Sequence, residues 1–107
     1  MAHFLVQVSY TSNALATLTK NPQDRTGAIR SLIEKLGGSL ESAWFAFGDY
    51  DVVIICQMPD NISAAAFSFA GSAGGAIKAI RTTPLMSIEE GVEALRKASG
   101  TGYQPPS

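Results

Sequence analysis

The sequence predicts an α+β domain with the element order β-α-β-β-α-β and one further helix at its end. Three patterns predict it. Over residues 3–10, apolar side chains recur at every second position, which is the period of a strand. Over residues 29–36 they recur at the i, i+3, i+4 and i+7 spacing of one helix face. Residues 52–58 are apolar on both alternating sides, as in a strand inside a covered sheet.

Length and composition indicate one domain whose surface is poor in charge. A chain of 107 residues is long enough to form one hydrophobic core. Charged residues make up 16% of it, whereas typical soluble domains carry about 25%. Either much of the chain is core, or another molecule covers part of the surface.

The first half of the chain carries a strand and two helical segments. The strand covers residues 3–10, and a short helical pattern follows it. Asn21 and Pro22 predict the start of the longer helix, because Asn is a good N-cap and Pro is tolerated at the first helical position. Gly37 and Gly38 then end that helix with a residue that tolerates positive φ. Its predicted buried face consists of Ile29, Leu32, Ile33 and Leu36.

The second half carries three strands and two helices. Strands are predicted over residues 40–47, 52–58 and 76–83. Ser87 and Glu90 have the spacing of a capping box and start the last helix. The predicted buried positions are Ile62, Ala65, Ala66 and Phe69 in the earlier helix, and Ile88, Val92 and Leu95 in the last one.

This element order is the ferredoxin-like, split βαβ arrangement. The short connection through Gly48 makes the second and third strands an antiparallel hairpin. The topology places the first and third strands at the centre of a four-stranded antiparallel sheet, with both long helices on one face. We assign residues 1–98 to this domain and residues 99–107 to a flexible C-terminal tail.

Helices on one face leave the other face of the sheet uncovered. An aromatic of the second strand, either Trp44 or the pair Phe45 and Phe47, joins that face. Such a contiguous apolar patch is larger than monomers usually expose, so we expect it to pack on a second copy of the chain in a homo-oligomer. The predicted interface residues are Leu5, Gln7, Val53, Ile55 and Gln57.

Composition argues against several other classes of partner. The formal net charge is −1 and no Lys/Arg run is present, so we expect no nucleic-acid partner. No stretch approaches the apolar length of a membrane span, and the N-terminus does not read as a signal peptide, which together favour a cytoplasmic protein. Cys56 is the sole cysteine, and we expect no disulfide, metal or cofactor.

The hairpin carries residues that resemble a known family. Gly48, Tyr50 and Asp51, which follow "LGGSLESAWFAF" and precede "VVIICQMPD", resemble the motif of the GYD domain family, as does the helix "AIRSLIEKLGG". The resemblance runs from about Phe4 to Leu95 and implies a dimeric α+β barrel. The hairpin is also similar to the sensing domain of leucine-responsive and AsnC-type regulators, which implies binding of a small effector at a subunit interface.

Four side chains are candidates for chemistry, each with a simpler structural interpretation. Asp51 is a base or a ligand anchor, or it bonds amides of the turn that Gly48 opens. His3 is a general base oriented by a carboxylate such as Asp51, or a polar residue at the rim. Tyr10 and Trp44 line a cavity between helices and sheet, or belong to the core.

These observations favour a homo-oligomeric domain that binds a small molecule at or near a subunit interface. The alternative is a small cofactor-independent oxygenase or isomerase of the dimeric α+β barrel type, with His3, Tyr10, Trp44 and Asp51 as its candidate catalytic groups. A third possibility is a purely structural partner protein. The small residues of the helix after Asp60 allow close helix approach or leave pocket space, and close packing is the interpretation that we favour.

Overall fold

The structure is a computed structural model that describes residues 1–106. Its element order is the predicted one, with the short helix and the longer helix both present before the second strand. The second strand ends before Phe47, and the fourth extends two residues beyond the predicted end. The elements are β1 (Ala2–Tyr10), α1 (Ser12–Lys20), α2 (Thr26–Lys35), β2 (Ser39–Phe45), β3 (Val52–Met58), α3 (Asn61–Ala73), β4 (Ile77–Leu85) and α4 (Ile88–Ser99).

The four strands form one antiparallel sheet in the order β2-β3-β1-β4. The predicted ferredoxin-like α+β fold, with β1 and β3 at the centre, is therefore confirmed. In the middle of the sheet Val6 lies between Ile54 of β3 and Thr82 of β4. This register fixes which side chains share a face, because side chains alternate along each strand.

The core lies between the sheet and the helices. Ile33 of α2 is completely buried, and it packs on alternate side chains of the two central strands. These are the residues that the alternating pattern places on one side of the sheet. The buried strand residues are Phe4, Val6, Val8, Val52, Ile54, Cys56 and Met58.

The start of α2 differs from the prediction, whereas its end agrees with it. Asn21 closes α1 and does not cap α2, which begins five residues later at Thr26. The Asp24 carboxylate accepts a hydrogen bond from the Thr26 amide at 2.8 Å and organises the first turn there. At the other end Gly37 has φ of +86°, as a glycine after a helix commonly does.

The buried face of α3 is not the predicted one. Ala64 and Phe67 are buried, whereas Ile62 is 82% exposed and Phe69 is 73% exposed. The predicted set therefore lies mainly on the outer side of the helix. Asp60 caps α3, because its Oδ1 accepts a hydrogen bond from the Ser63 amide at 2.7 Å.

The last helix, α4, begins with the predicted capping box. Ser87 Oγ accepts from the Glu90 amide at 3.0 Å, and Glu90 Oε1 accepts from the Ser87 amide at 2.9 Å. Helix α4 contains no buried residue among those described. Ser99, the first residue of the predicted tail, is the last residue of α4. Residues 101–106 follow without regular structure, and Ser107 lies outside the described residues. Within residues 1–106, no helix combines the length and hydropathy needed to cross a bilayer.

Candidate functional site

A cleft opens between the helices and the sheet. Helix α2 packs mainly on β2 and α3 packs mainly on β4, and the cleft lies between these two contacts. The cleft has a volume of about 530 Å³. Its floor is apolar and formed by Val8, Val52 and Ile54, while Leu18, Leu32 and Phe67 contribute to its walls.

Small residues of α3 leave this space open. Ala70, Gly71 and the C-cap residue Gly74 line the cleft, in agreement with the alternative that the small residues leave pocket space. The expected close packing is found at Ala64, which is buried in the core, and at Gly71, where an added Cβ would lie 3.1 Å from the Ile77 side chain.

Tyr10 and Arg25 bring polar groups to the apolar cleft. Burial raises the pKa of the Tyr10 hydroxyl, although the nearby Arg25 guanidinium acts in the opposite direction. Within residues 1–106, neither the hydroxyl nor the guanidinium has a hydrogen-bonding side-chain partner. Both groups can therefore donate hydrogen bonds to a molecule in the cleft.

The turn at Gly48 to Asp51 is tied to the end of β1. Gly48 has φ of +143°, which other residues rarely adopt. The Asp51 carboxylate accepts a hydrogen bond from the Tyr10 amide at 2.8 Å, and the Asp51 amide donates to the Val8 carbonyl at 2.8 Å. The Asp51 side chain thus bonds an amide of β1 and not one of its own turn. It fixes the backbone that carries Tyr10.

His3 pairs with Glu41, a partner that the sequence analysis did not predict. Its Nε2 lies 3.0 Å from Glu41 Oε1, and Gln57 Nε2 donates to the same oxygen at 2.7 Å. Asp51 lies at the opposite end of the sheet, because β1 and β3 are antiparallel and His3 lies beside Gln57. The predicted pairing of His3 with Asp51 is therefore wrong.

Glu41 was missed because it lies at an irregularity of the hairpin. The register shifts between Leu40, opposite Cys56, and Ser42, opposite Ile55. Glu41 is the extra residue of a β-bulge, which re-aims a side chain relative to the regular alternation. The only available signal was an acidic residue in an otherwise apolar and small-residue strand, and that signal does not reveal a bulge.

The helix-free face of the sheet contains the predicted interface residues. All five are half-buried in the single chain, and no helix of residues 1–106 packs extensively on them. Trp44 lies opposite Val53 and so belongs to this face, whereas Phe45 lies opposite Val52 and belongs to the other. Trp44 is 65% exposed. The residues are Leu5, Gln7, Val53, Ile55 and Gln57.

The other sequence candidates can be placed as well. Cys56 is buried, and burial raises the pKa of its thiol, with a smaller contribution from Glu41, so the thiolate is disfavoured. Within the described chain, no three His, Cys, Asp or Glu side chains are grouped as metal ligands would be. Of the four candidate catalytic residues, Tyr10 lines the cleft, Asp51 holds its backbone, and His3 belongs to the helix-free face. Trp44 belongs to that face by its register, and it also lines a small pocket of about 60 Å³ together with Tyr10.

Comparison with known proteins gives a family and a fold. The family model described as "GYD domain" matches residues 4–95. No curated protein matches the sequence. A similar solved structure is the crystal structure of TTHA0845 from Thermus thermophilus, with 16% identity and a TM-score of 0.52 over 81% of this chain and 95% of that chain. This likeness supports the ferredoxin-like fold. Because the family model spans most of the sequence, the chain belongs to the GYD domain family.

Proposed function

We propose that this protein is a homo-oligomeric domain that binds a small molecule in the cleft between its helices and its sheet. The observation that carries the proposal is the cleft itself. Its volume of about 530 Å³ falls within the range of roughly 300–1,000 Å³ typical of small-molecule sites. Its lining is mostly apolar with a few polar groups, which is the usual composition of such sites.

The ligand that fits this lining is a small, mainly apolar molecule with one anionic group. The buried floor at Val8 and Ile54 suits an apolar body. Arg25 is exposed, so the charged end of the ligand would lie at the mouth of the cleft, where the guanidinium can bind a carboxylate. The Tyr10 hydroxyl supplies a second donor.

The homo-oligomer is supported by the helix-free face. A single chain leaves Leu5, Val53 and Ile55 half-buried beside the exposed Trp44. Gln7 and Gln57 lie among them and can donate hydrogen bonds across an interface. Packing of two sheets through these faces would remove the apolar surface from water.

An oxygenase or isomerase receives less support from the geometry. Catalysis requires its groups to surround one reacting atom. His3 lies near the start of β1 and Tyr10 lies at its end, seven residues and about 23 Å further along the strand. His3, the candidate general base, therefore does not converge with Tyr10 on the cleft.

Binding can be tested with variants of α3. Native mass spectrometry reports any ligand retained by the purified protein, and thermal shift then screens small aliphatic and aromatic carboxylates against their amides. Ligand at about 100 times its Kd should stabilise the protein by about 2.7 kcal/mol. Ala70→Leu should abolish this stabilisation because Ala70 lines the cleft, whereas Ala65→Leu should retain it because Ala65 does not line the cleft.

The charged end of the ligand can be tested separately. Arg25→Gln should remove the preference for acids over amides, while Arg30→Gln, which lies outside the cleft, should keep it. The binding proposal fails if no ligand is retained and no compound of the panel shifts the melting temperature. It also fails if Ala70→Leu binds as tightly as Ala65→Leu.

A further inference from the structure

Helix α4 is built as a stable helix, yet its own chain does not pack against it. The reciprocal bonds of Ser87 and Glu90 satisfy its first turn. Acidic residues lie in the first turn and Arg96 and Lys97 in the last, which complements the helix dipole. Despite this, none of its residues is buried in the described chain.

One side of α4 is apolar and mostly exposed, and its most covered residue, Val92, is 39% exposed. Ile88, Val92 and Leu95 follow one another at i, i+4 and i+7, and we call them the α4 stripe. Ile88 is 85% exposed and Leu95 is 71% exposed. An isolated helix shorter than about 12–15 residues is marginal in water, and α4 has 12 residues. The helix therefore needs a surface to pack on.

The surface of the whole chain indicates how large that partner surface is. Its accessible area is 7543 Å², whereas a compact monomer of 11.3 kDa exposes about 5,700 Å². The excess is about 1,800 Å². Standard complexes bury about 800 Å² per partner, and obligate homodimers bury roughly 1,000–2,500 Å² per chain. The exposed residues 101–106 contribute to this excess together with α4, so the excess is an upper bound on the area that a homodimer of this chain would bury.

Helix α4 also starts beside the helix-free face. Strand β4 ends at Leu85, which pairs with His3 of β1. His3 lies on the helix-free side, two positions from Leu5. Hydrogen bonds from Ser87 are the largest cause of the lowered pKa of the Glu90 carboxyl, and His3 lowers this pKa as well, by a smaller amount. The α4 stripe therefore continues the proposed sheet interface.

We propose that α4 is an arm exchanged between two copies of the chain, so that the α4 stripe of each copy packs on the other copy. The inference rests on the homo-oligomer proposed above. Two sheets that meet through their helix-free faces bring the start of each α4 to the border of the other copy. A helix of 12 residues is about 18 Å long, and the chain is 35 Å across its middle dimension. The arm is therefore long enough to extend across about half the width of its partner.

Truncation tests the arm. The full chain and a variant ending at Gly100, which lacks only the tail, should both sediment as dimers at about 10 μM. A variant ending at Met86, which lacks α4, should have a dimer dissociation constant about 100-fold higher or more. Far-UV circular dichroism checks that this variant keeps its sheet.

Substitutions within α4 give the matched comparison. Leu95→Glu places a charge on the α4 stripe and should weaken the dimer. Ala94→Glu adds the same charge at the preceding position, off the stripe, and should leave the dimer dissociation constant unchanged. Isotope-filtered NOE spectra of a dimer mixed from labelled and unlabelled chains should show contacts from the Val92 and Leu95 methyl groups to the other chain.

The outcomes separate the two proposals. If the full chain sediments as a monomer, the homo-oligomer is wrong and the arm is wrong with it. If the full chain is a dimer and the variant ending at Met86 dimerises as tightly, the arm alone is wrong. Methyl contacts confined to the same chain would likewise overturn the exchange while leaving the sheet interface intact.

Discussion

At the scale of single residues, Asp51 shows what the family motif does in this fold. Its amide, its carbonyl and its carboxylate are all engaged with neighbouring backbone, from Ala46 of the hairpin to Val8 and Tyr10 of β1. The motif therefore ties the hairpin to the end of the central strand. It also sets the position of Tyr10, whose side chain lines the cleft.

Removal of the Asp51 carboxylate should destabilise the fold. Asp51→Ala leaves the half-buried Tyr10 amide without its partner, so the free energy of unfolding should fall by about 1–3 kcal/mol. Asp49→Ala is the control, because at Asp49 the backbone carbonyl, and not the carboxylate, accepts from Ser9. Urea titration measures both. Equal stability of the two variants would show that the Tyr10 bond contributes nothing.

Gly38 is a second residue with a specific structural requirement. A Cβ at this position would clash with the Gln57 carbonyl oxygen and would lie 2.7 Å from Met58 Sδ. Gly38→Ala should therefore destabilise the protein by about 1–3 kcal/mol through overpacking. Gly27→Ala in α2 meets no atom within 4 Å and should instead stabilise it by about 0.4–1 kcal/mol. If chemical unfolding showed that both substitutions stabilise the protein, or that both destabilise it, this assignment would be contradicted.

The sequence was a better guide to the candidate residues themselves than to the residues that contact them. Tyr10 could be proposed for a cavity because the strand pattern places it at the end of β1, beyond the covered core. The pairing of His3 with Glu41 could not be predicted, because it depends on a bulge that one residue creates. Arg25 was not singled out either, since its role depends on where α2 begins.

At the scale of elements, α3 shows why periodicity alone can select the wrong face. Its sequence, NISAAAFSFAGSA, has apolar residues at helical spacing on two sides, one with Ile62 and Phe69 and the other with Ala64 and Phe67. Both sets fit a buried stripe. The side that packs is decided by the route of the chain from β3 to β4, which local sequence does not contain.

The caps of α3 and α4 should make stability depend on acid pH. Hydrogen bonds from the Ser63 amide lower the pKa of Asp60, so the ionised carboxylate stabilises the folded state. This stability is present above the unfolded pKa of about 3.9 and is lost as pH falls through the lower folded pKa. Asp60→Asn still caps but does not titrate. Its urea midpoint should therefore drop less than that of the unsubstituted protein between about pH 5 and about pH 2. Equal drops would exclude this contribution.

At the scale of the whole molecule, the topology was predictable because independent patterns agreed. The doubly apolar pattern of residues 52–58 indicated a central strand, and the ferredoxin-like order places that strand at the centre. What one sequence could not reveal is the shape. The radius of gyration is 17.1 Å, whereas a compact chain of this length has about 13 Å. Helix α4 and the exposed residues 101–106 both lie outside the core. The α4 stripe was recognised, but its separation from its own core was not.

A homo-oligomer whose chains fold together should have a melting temperature that depends on concentration. A tenfold increase in protein contributes about 1.4 kcal/mol to a dimer, which raises the melting temperature by roughly 3 °C for two chains of this size. Differential scanning calorimetry over two decades of concentration measures this slope. A melting temperature independent of concentration would contradict obligate dimerisation.

The pairing of β1 has a consequence for biosynthesis. Strand β1 is synthesised before both strands that flank it, and its His3 pairs with Gln57 on one side and Leu85 on the other. One edge of β1 therefore stays unpaired until β3 has been made, and the other stays unpaired until β4 has been made. A nascent chain of this protein should therefore depend on ribosome-associated chaperones until β4 emerges, and should then fold in a single late step.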